Sequence, residues 1–172
     1  SNYIMNKVNS LFNEIKNGIL VKLGNGKTKE FKNGKEIKKT SYVEFTKDNF
    51  HVLMQFSPEN GEADTEYLYV DYFTGKTVST MFGTIYPSPD RKIVADVLGY
   101  FESSGSGMIT LSDLNTGKTI LNFEEGTEIS LAKWLSNDEL SYSLKCKNGT
   151  LKNFSVRRSG NKWIKPVTKS CV

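Results

Sequence analysis

The chain is poor in the residues that usually carry chemistry. It has one histidine, His51, and two cysteines, Cys146 and Cys171, among 172 residues. With a single imidazole and two distant thiols, neither a zinc cluster nor a Cys-x-x-Cys redox pair can be assembled. A Ser or Cys triad would have to draw its base from His51 alone. That residue opens the apolar run His51-Val-Leu-Met54 and reads as a partly exposed strand histidine. No apolar run approaches the ~18 residues of a membrane span, and no signal peptide leads the chain. A secreted protein sheds that segment, so the compartment turns on the cysteines. If Cys146 and Cys171 pair, the sequence points to a periplasmic or secreted protein; if they are unrelated thiols, to a cytoplasmic one.

Gly-Lys-Thr occurs three times, at 26–28, 75–77 and 117–119. A phosphate-binding loop needs a further glycine at the start of its G-x4-G-K spacing, where this chain has Val21, Val70 and Ser112. These stretches therefore read as hairpin turns. Gly105-Ser-Gly107 has Ser103 where a nucleophile elbow needs its first glycine, and reads as a flexible link between strands. Asn148-Gly-Thr150 fits a glycosylation sequon, but Asn-Gly before a strand is also a hairpin signal, and that reading is preferred. No residue pattern calls for a cofactor.

The net charge is +4, with the excess concentrated early. Between Lys16 and Lys47 nine lysines face three glutamates. That cluster holds no arginine, and its aromatics do not alternate with the lysines as a base-stacking surface would, which argues against a nucleic-acid surface. Lysines spaced by Gly and Asn suit an exposed ribbon edge that must not pair with another chain.

What the chain does have is a repeat. Asp71-Tyr-Phe-Thr-Gly-Lys-Thr77 returns as Asp113-Leu-Asn-Thr-Gly-Lys-Thr119, 42 residues later. A second turn precedes each copy, as Thr46-Lys-Asp48-Asn49, Ser88-Pro-Asp90-Arg91 and Ser136-Asn-Asp138-Glu139. Short runs rich in Val, Ile, Phe and Tyr follow these turns, as strands would. A weaker third copy of the later turn places Gly160 in line with Gly117 and Gly75. Asp48, Asp90, Asp138, Gly75, Gly117 and Gly160 are thus expected as structural turn residues. A period near 42 with four strands per unit is the spacing of propeller blades. The expected fold is mainly β, with three four-stranded antiparallel blades at 40–82, 83–126 and 127–167 forming a partial propeller in a single domain. Residues 1–39 add a helix over about 3–17, from the spacing of Ile4, Val8, Leu11, Phe12, Ile15 and Ile19, then a ribbon. Asn17-Gly18 reads as the helix stop.

Tyr86-Pro-Ser-Pro-Asp-Arg-Lys-Ile-Val-Ala95 with the later Asp113-Leu-Asn-Thr-Gly-Lys118 resembles the blade repeat of TolB-type propellers, the WD40-like PD40 class. That repeat has Gly where Arg91 stands. The resemblance covers one unit well and two weakly, implies fold alone, and brings no catalytic residue.

Three blades leave open flanks. The N-terminal segment, a second copy that completes a ring, or a different protein would cover them. This points to a non-catalytic protein-binding module. By analogy of scaffold, a bacterial immunity or inhibitor protein that neutralises a toxin is one form of it. A cell-envelope glycan- or solute-binding domain is the alternative, and a small hydrolase using His51 or a carboxylate pair a third. The candidate partner-binding residues are the acidic loop Glu59, Glu62, Asp64, Glu66 with Tyr67, and Asp96, Tyr100 and Glu102.

Overall fold

A computed structural model describes residues 11–37, 39–59 and 62–171. Among these the chain is all strand and turn, in four antiparallel sheets of three or four strands with no helix. It divides into two compact units, 1–82 and 83–172, each taken by itself below.

The first unit opens with a three-stranded sheet, β1 (Phe12–Ile15), β2 (Gly18–Lys22) and β3 (Thr28–Lys32). The helix expected over 3–17 is therefore wrong where the structure describes it; residues 3–10 lie outside the described part. Asn17, at φ 66°, and Lys16 form the turn that folds β1 onto β2, with Ile15 opposite Gly18 and Phe12 opposite Val21. The three-and-four apolar spacing is real, but it is divided between two strands. Tertiary packing outweighs it: Phe12 stacks flat on Tyr42, centroids 3.9 Å apart, and Ile19 and Val21 are buried with Leu23, Leu53 and Val70. Gly18 is no helix stop. A Cβ there would strike the Phe31 carbonyl, so close strand packing requires glycine.

A four-stranded sheet follows in simple meander order: β4 (Lys39–Phe45), β5 (Phe50–Glu59), β6 (Glu62–Asp71) and β7 (Thr77–Thr80). The second unit holds two more. One is β8 (Thr84–Pro87), β9 (Ile93–Phe101), β10 (Ser106–Asp113) and β11 (Thr119–Glu124). The other is β12 (Ile129–Ser136), β13 (Glu139–Lys145), β14 (Leu151–Ser159) and β15 (Lys162–Ile164). These two pack face to face through alternating apolar positions. Ala95, Val97, Ile109 and Leu111 come from one sheet; Leu140, Tyr142, Leu144 and Val156 come from the other. The N-terminal ribbon is thus a sheet in its own right, a fourth beside the three expected.

The turns explain the period. In each four-stranded sheet the first and third turns lie at the same end and are tied by one backbone bond. The Tyr72 N–H donates to the Asn49 carbonyl (3.0 Å), Leu114 to Lys92 (2.9 Å) and Arg158 to Asp138 (2.8 Å). The Asp-x-x-Thr-Gly-Lys residues each have a local task. Asp71 accepts from the Phe73 amide and the Thr74 hydroxyl, and Asp113 from the amides of Asn115 and Thr116. Thr74 and Thr116 accept from the amides of Lys76 and Lys118. Gly75 and Gly117 both sit at φ 72°, where a side chain is strained. Arg91 and Asn49 also have positive φ, 58° and 61°, so Arg91 occupies a backbone conformation that glycine adopts at less cost.

Candidate functional site

His51 is fully buried, which corrects the expectation of a partly exposed residue. Its Nε2 lies 2.7 Å from the Lys22 carbonyl and its Nδ1 3.0 Å from the Tyr42 hydroxyl. The carbonyl can only accept, so Nε2 carries the proton, and Nδ1 accepts from Tyr42. The rings of Tyr42, Phe45 and Tyr72 pack edge-on around it. Burial holds its pKa below the ordinary value, partly opposed by the bond to Lys22. Burial also pushes the Tyr42 phenol up to about 12, with the Glu44 charge adding to it. Both nitrogens of the imidazole are thus committed: Nε2 pins β5 to β2 across the two sheets of this unit, and Nδ1 ties it to β4 within its own sheet.

The residues expected to form an acidic loop are in strand. The ladder between β5 and β6 runs from Phe50 opposite Asp71 out to Glu59 opposite Glu62. Among the described residues its neighbours stop short: β4 pairs with β5 only as far as Phe56, and β7 with β6 only from Tyr67. Ser57–Glu59 and Glu62–Glu66 therefore form a two-stranded overhang. Strand alternation sets Asp64 and Glu66 on one face and Tyr67, 36% exposed, on the other. The side chains of Glu59 and Glu62 lie outside the described part.

The remaining candidates belong to the second unit. Asp96, half-buried, sits in β9 opposite Ile85 and Thr110. Tyr100 is exposed near the end of β9, and Glu102 is exposed in the turn to β10. The structure brings Asp64, Glu66 and Tyr67 onto one hairpin, and Tyr100 and Glu102 to one strand end. Asp96 stands away from that end. Of the turn residues, Asp90 accepts from the Ser88 hydroxyl and the Lys92 amide, and Asp138 pairs with Arg158. Asp48 stands in the β4–β5 turn, and Gly160, at φ 60°, in the turn before β15. The 105–107 stretch gives close packing where flexibility was expected. Ser106 is buried and bonded to Ser104 and Glu124, and a Cβ on Gly107 would lie 2.6 Å from Ile129 Cγ1. Asn148 accepts from the Thr150 amide and hydroxyl, with Gly149 at φ 81°, as the hairpin reading requires.

Two features had no sequence signal. Glu125 is buried and accepts from the Tyr142 hydroxyl (2.5 Å) and the Thr168 hydroxyl (2.7 Å). Burial, then the Glu125 hydrogen bond and charge, drives the Tyr142 phenol far upward, so it stays a donor. Thr168 belongs to the C-terminal tail, which the Cys146–Cys171 disulfide fastens to the end of β13. The second feature is an open groove of about 520 Å³ beside β14 and β15, lined by Arg157, Arg158 and Lys165 with Phe154, Ile164 and Pro166. Among the described residues no group of three or more metal-binding side chains is placed to hold an ion, and no helix is long and apolar enough to cross a membrane.

The sequence matches no family model and no curated protein, so the TolB-type resemblance rests on its turn residues alone. Among solved structures the chain is similar to the β-propeller domain of the Trilobed protease from Pyrococcus furiosus, which was described as having an open velcro topology. The identity is 15% and the TM-score 0.49, over 75% of this chain and 43% of that one. It is also similar to an uncharacterized protein from Listeria monocytogenes EGD-e, with 13% identity and a TM-score of 0.43, over 77% of this chain and 40% of that one. The chain spans less than half of either, and neither likeness carries a functional argument.

Proposed function

We propose that this chain is a non-catalytic protein-binding module on a partial propeller scaffold of the TolB-like kind, acting outside the reducing cytosol. The concrete form we favour is a bacterial immunity or inhibitor protein that neutralises a toxin. The observation that carries this reading is the β5–β6 overhang. A ribbon extended past both neighbouring strands, with carboxylates on one face and Tyr67 at its base on the other, has edges and side chains left for a partner. Two further features support it. The groups best suited to catalysis are consumed locally: His51 by Lys22 and Tyr42, Glu125 by Tyr142 and Thr168. The disulfide suits an oxidising compartment. The glycan-binding alternative calls for a rim pocket of Tyr, Trp and Asn, whereas the groove beside β14 is lined by arginines, Phe154 and Ile164.

The test is titration calorimetry against the purified product of the neighbouring reading frame, using wild type and the double variant Asp64→Lys/Glu66→Lys. Wild type is expected to bind, and the double variant to bind at least about tenfold more weakly. Equal binding by the two removes the overhang as the contact surface. No binding, with thermal stabilisation by an envelope glycan instead, replaces the reading with the alternative.

A further inference from the structure

The groove beside β14 coincides with an unfinished strand edge. At one end of β14 the Cys146 amide donates to the Thr150 carbonyl, and at the other the Arg158 amide donates to the Asp138 carbonyl. Between them the register pairs Leu144 with Lys152, Tyr142 with Phe154, and Leu140 with Val156. In an antiparallel ladder such alternate pairs exchange their bonds, so the residues between them turn N–H and C=O to the other side. On that side β15 takes up Arg157 and Ser159, opposite Ile164 and Lys162. The ladder then stops, because Pro166 has no N–H to continue it. The outward groups of Leu151, Asn153 and Ser155 face the edge with no backbone partner among the described residues. The tail does not fill the space. It leaves for the inner face, where Thr168 bonds Glu125 and Cys171 joins Cys146.

We propose that this edge is a second binding site, which takes an extended acidic segment of another protein as an added strand in line with β15. Charge selects the occupant. Arg157, Arg158 and Lys165 line the groove. Glu139 and Asp138 answer the two arginines; the Lys165 ammonium stands over the Phe123 ring, 5.8 Å from its centroid, and no carboxylate among the described residues lies within ion-pair distance of it. Opposite charges across a ladder favour pairing and like charges oppose it. Symmetric pairing of two copies through this edge is thereby excluded: β14 carries Lys152, Arg157 and Arg158 and no acid, so two such edges would meet cation to cation. An acidic strand satisfies the free backbone groups and faces Lys165 together. Its alternate apolar side chains would enter the groove between Phe154 and Ile164.

The probe is a fluorescein-labelled peptide alternating glutamate and valine, titrated with the full chain and followed by anisotropy. Saturable binding is expected, with slowed hydrogen exchange at the amides of Asn153 and Ser155. The same peptide with lysine for glutamate should bind at least about tenfold more weakly, as should the glutamate peptide against Lys165→Glu. Ser155→Pro removes one outward donor and spares the β13 ladder, and should lower affinity about tenfold. N-methylation of alternate peptide amides makes the same test from the ligand side without touching the fold. The Asp64→Lys/Glu66→Lys variant should bind the peptide unchanged, which separates this site from the overhang. Equal binding of the glutamate and lysine peptides, no effect of N-methylation, or no binding at millimolar peptide overturns the proposal.

Discussion

Removing the disulfide should destabilise the second unit by a calculable amount. Cys146 and Cys171 are 25 residues apart. Cross-linking ends at that separation removes unfolded-chain entropy worth about 3.5 kcal/mol at 25 °C in the chain-entropy model. The tail it closes has few other anchors: the Thr168 hydroxyl on Glu125, the Cys171 carbonyl accepting from the Lys147 amide, and the Ser170 carbonyl near the Lys152 ammonium. Those contacts and the β13–β14–β15 ladders keep the closed loop ordered without the bond, so most of the loss is expected to appear. Cys146→Ser/Cys171→Ser is the perturbation, read by urea denaturation. Both tryptophans, Trp134 and Trp163, lie in the second unit and pack edge to face, so their fluorescence reports that unit alone. A loss of about 3–4 kcal/mol is expected. Reductant should produce the same loss in wild type and none in the variant. A change below about 1 kcal/mol, or a reductant effect that persists in the variant, would refute the reasoning.

Acidification should weaken the first unit. The folded pKa of His51 is depressed, so its contribution is complete above the ordinary value of 6.5 and is lost as pH falls below that toward the folded pKa. The slope can reach about 1.4 kcal/mol per pH unit and should flatten in His51→Phe, measured by hydrogen exchange at β5 amides. Gly107→Ala should cost ~1–3 kcal/mol, because the new Cβ meets Ile129 at 2.6 Å and the Gly99 carbonyl at 2.8 Å; a neutral result in the tryptophan-monitored melt would show that strand pair to be looser than described. Tyr142→Phe should cost ~1.5–3 kcal/mol by taking a donor from the buried Glu125 carboxylate, and Tyr142→Phe/Thr168→Val should lose less than the sum of the two single changes, checked by urea denaturation.

The strands around the repeated turns were legible because their signal is local. Asp71 accepts from the amide two residues on and the hydroxyl three on, Asp113 from the amides two and three on, and Gly75 and Gly117 supply a conformation that other residues resist. The N-terminal helix was misread because Phe12, Ile15 and Ile19 fit two periodicities, and only contact with Tyr42 and the β2 face selects between them. Glu125 stands in sequence beside Glu124 and near Glu128, and nothing local marks it for burial. Its burial depends on a tyrosine 17 residues away and a threonine 43 residues away. Of the candidate site residues, Asp64, Glu66 and Tyr67 were visible as a charged, aromatic cluster. That they ride on paired strands follows from the length of the β5–β6 ladder relative to its neighbours.

By itself the sequence determined that the chain is built of short antiparallel strands on a 42-residue beat, since turn chemistry and two-residue alternation act between near neighbours. It also excluded a P-loop and a multi-histidine metal site, for want of the residues. Only the tertiary structure decided that the first forty residues contain a further sheet and that the two cysteines meet. Only there does His51 serve as a buried tie between strands, and only there does β14 keep an unpaired edge above a cationic groove. Each of these depends on groups brought together from distant parts of the chain, where the free energy of packing outweighs local preference.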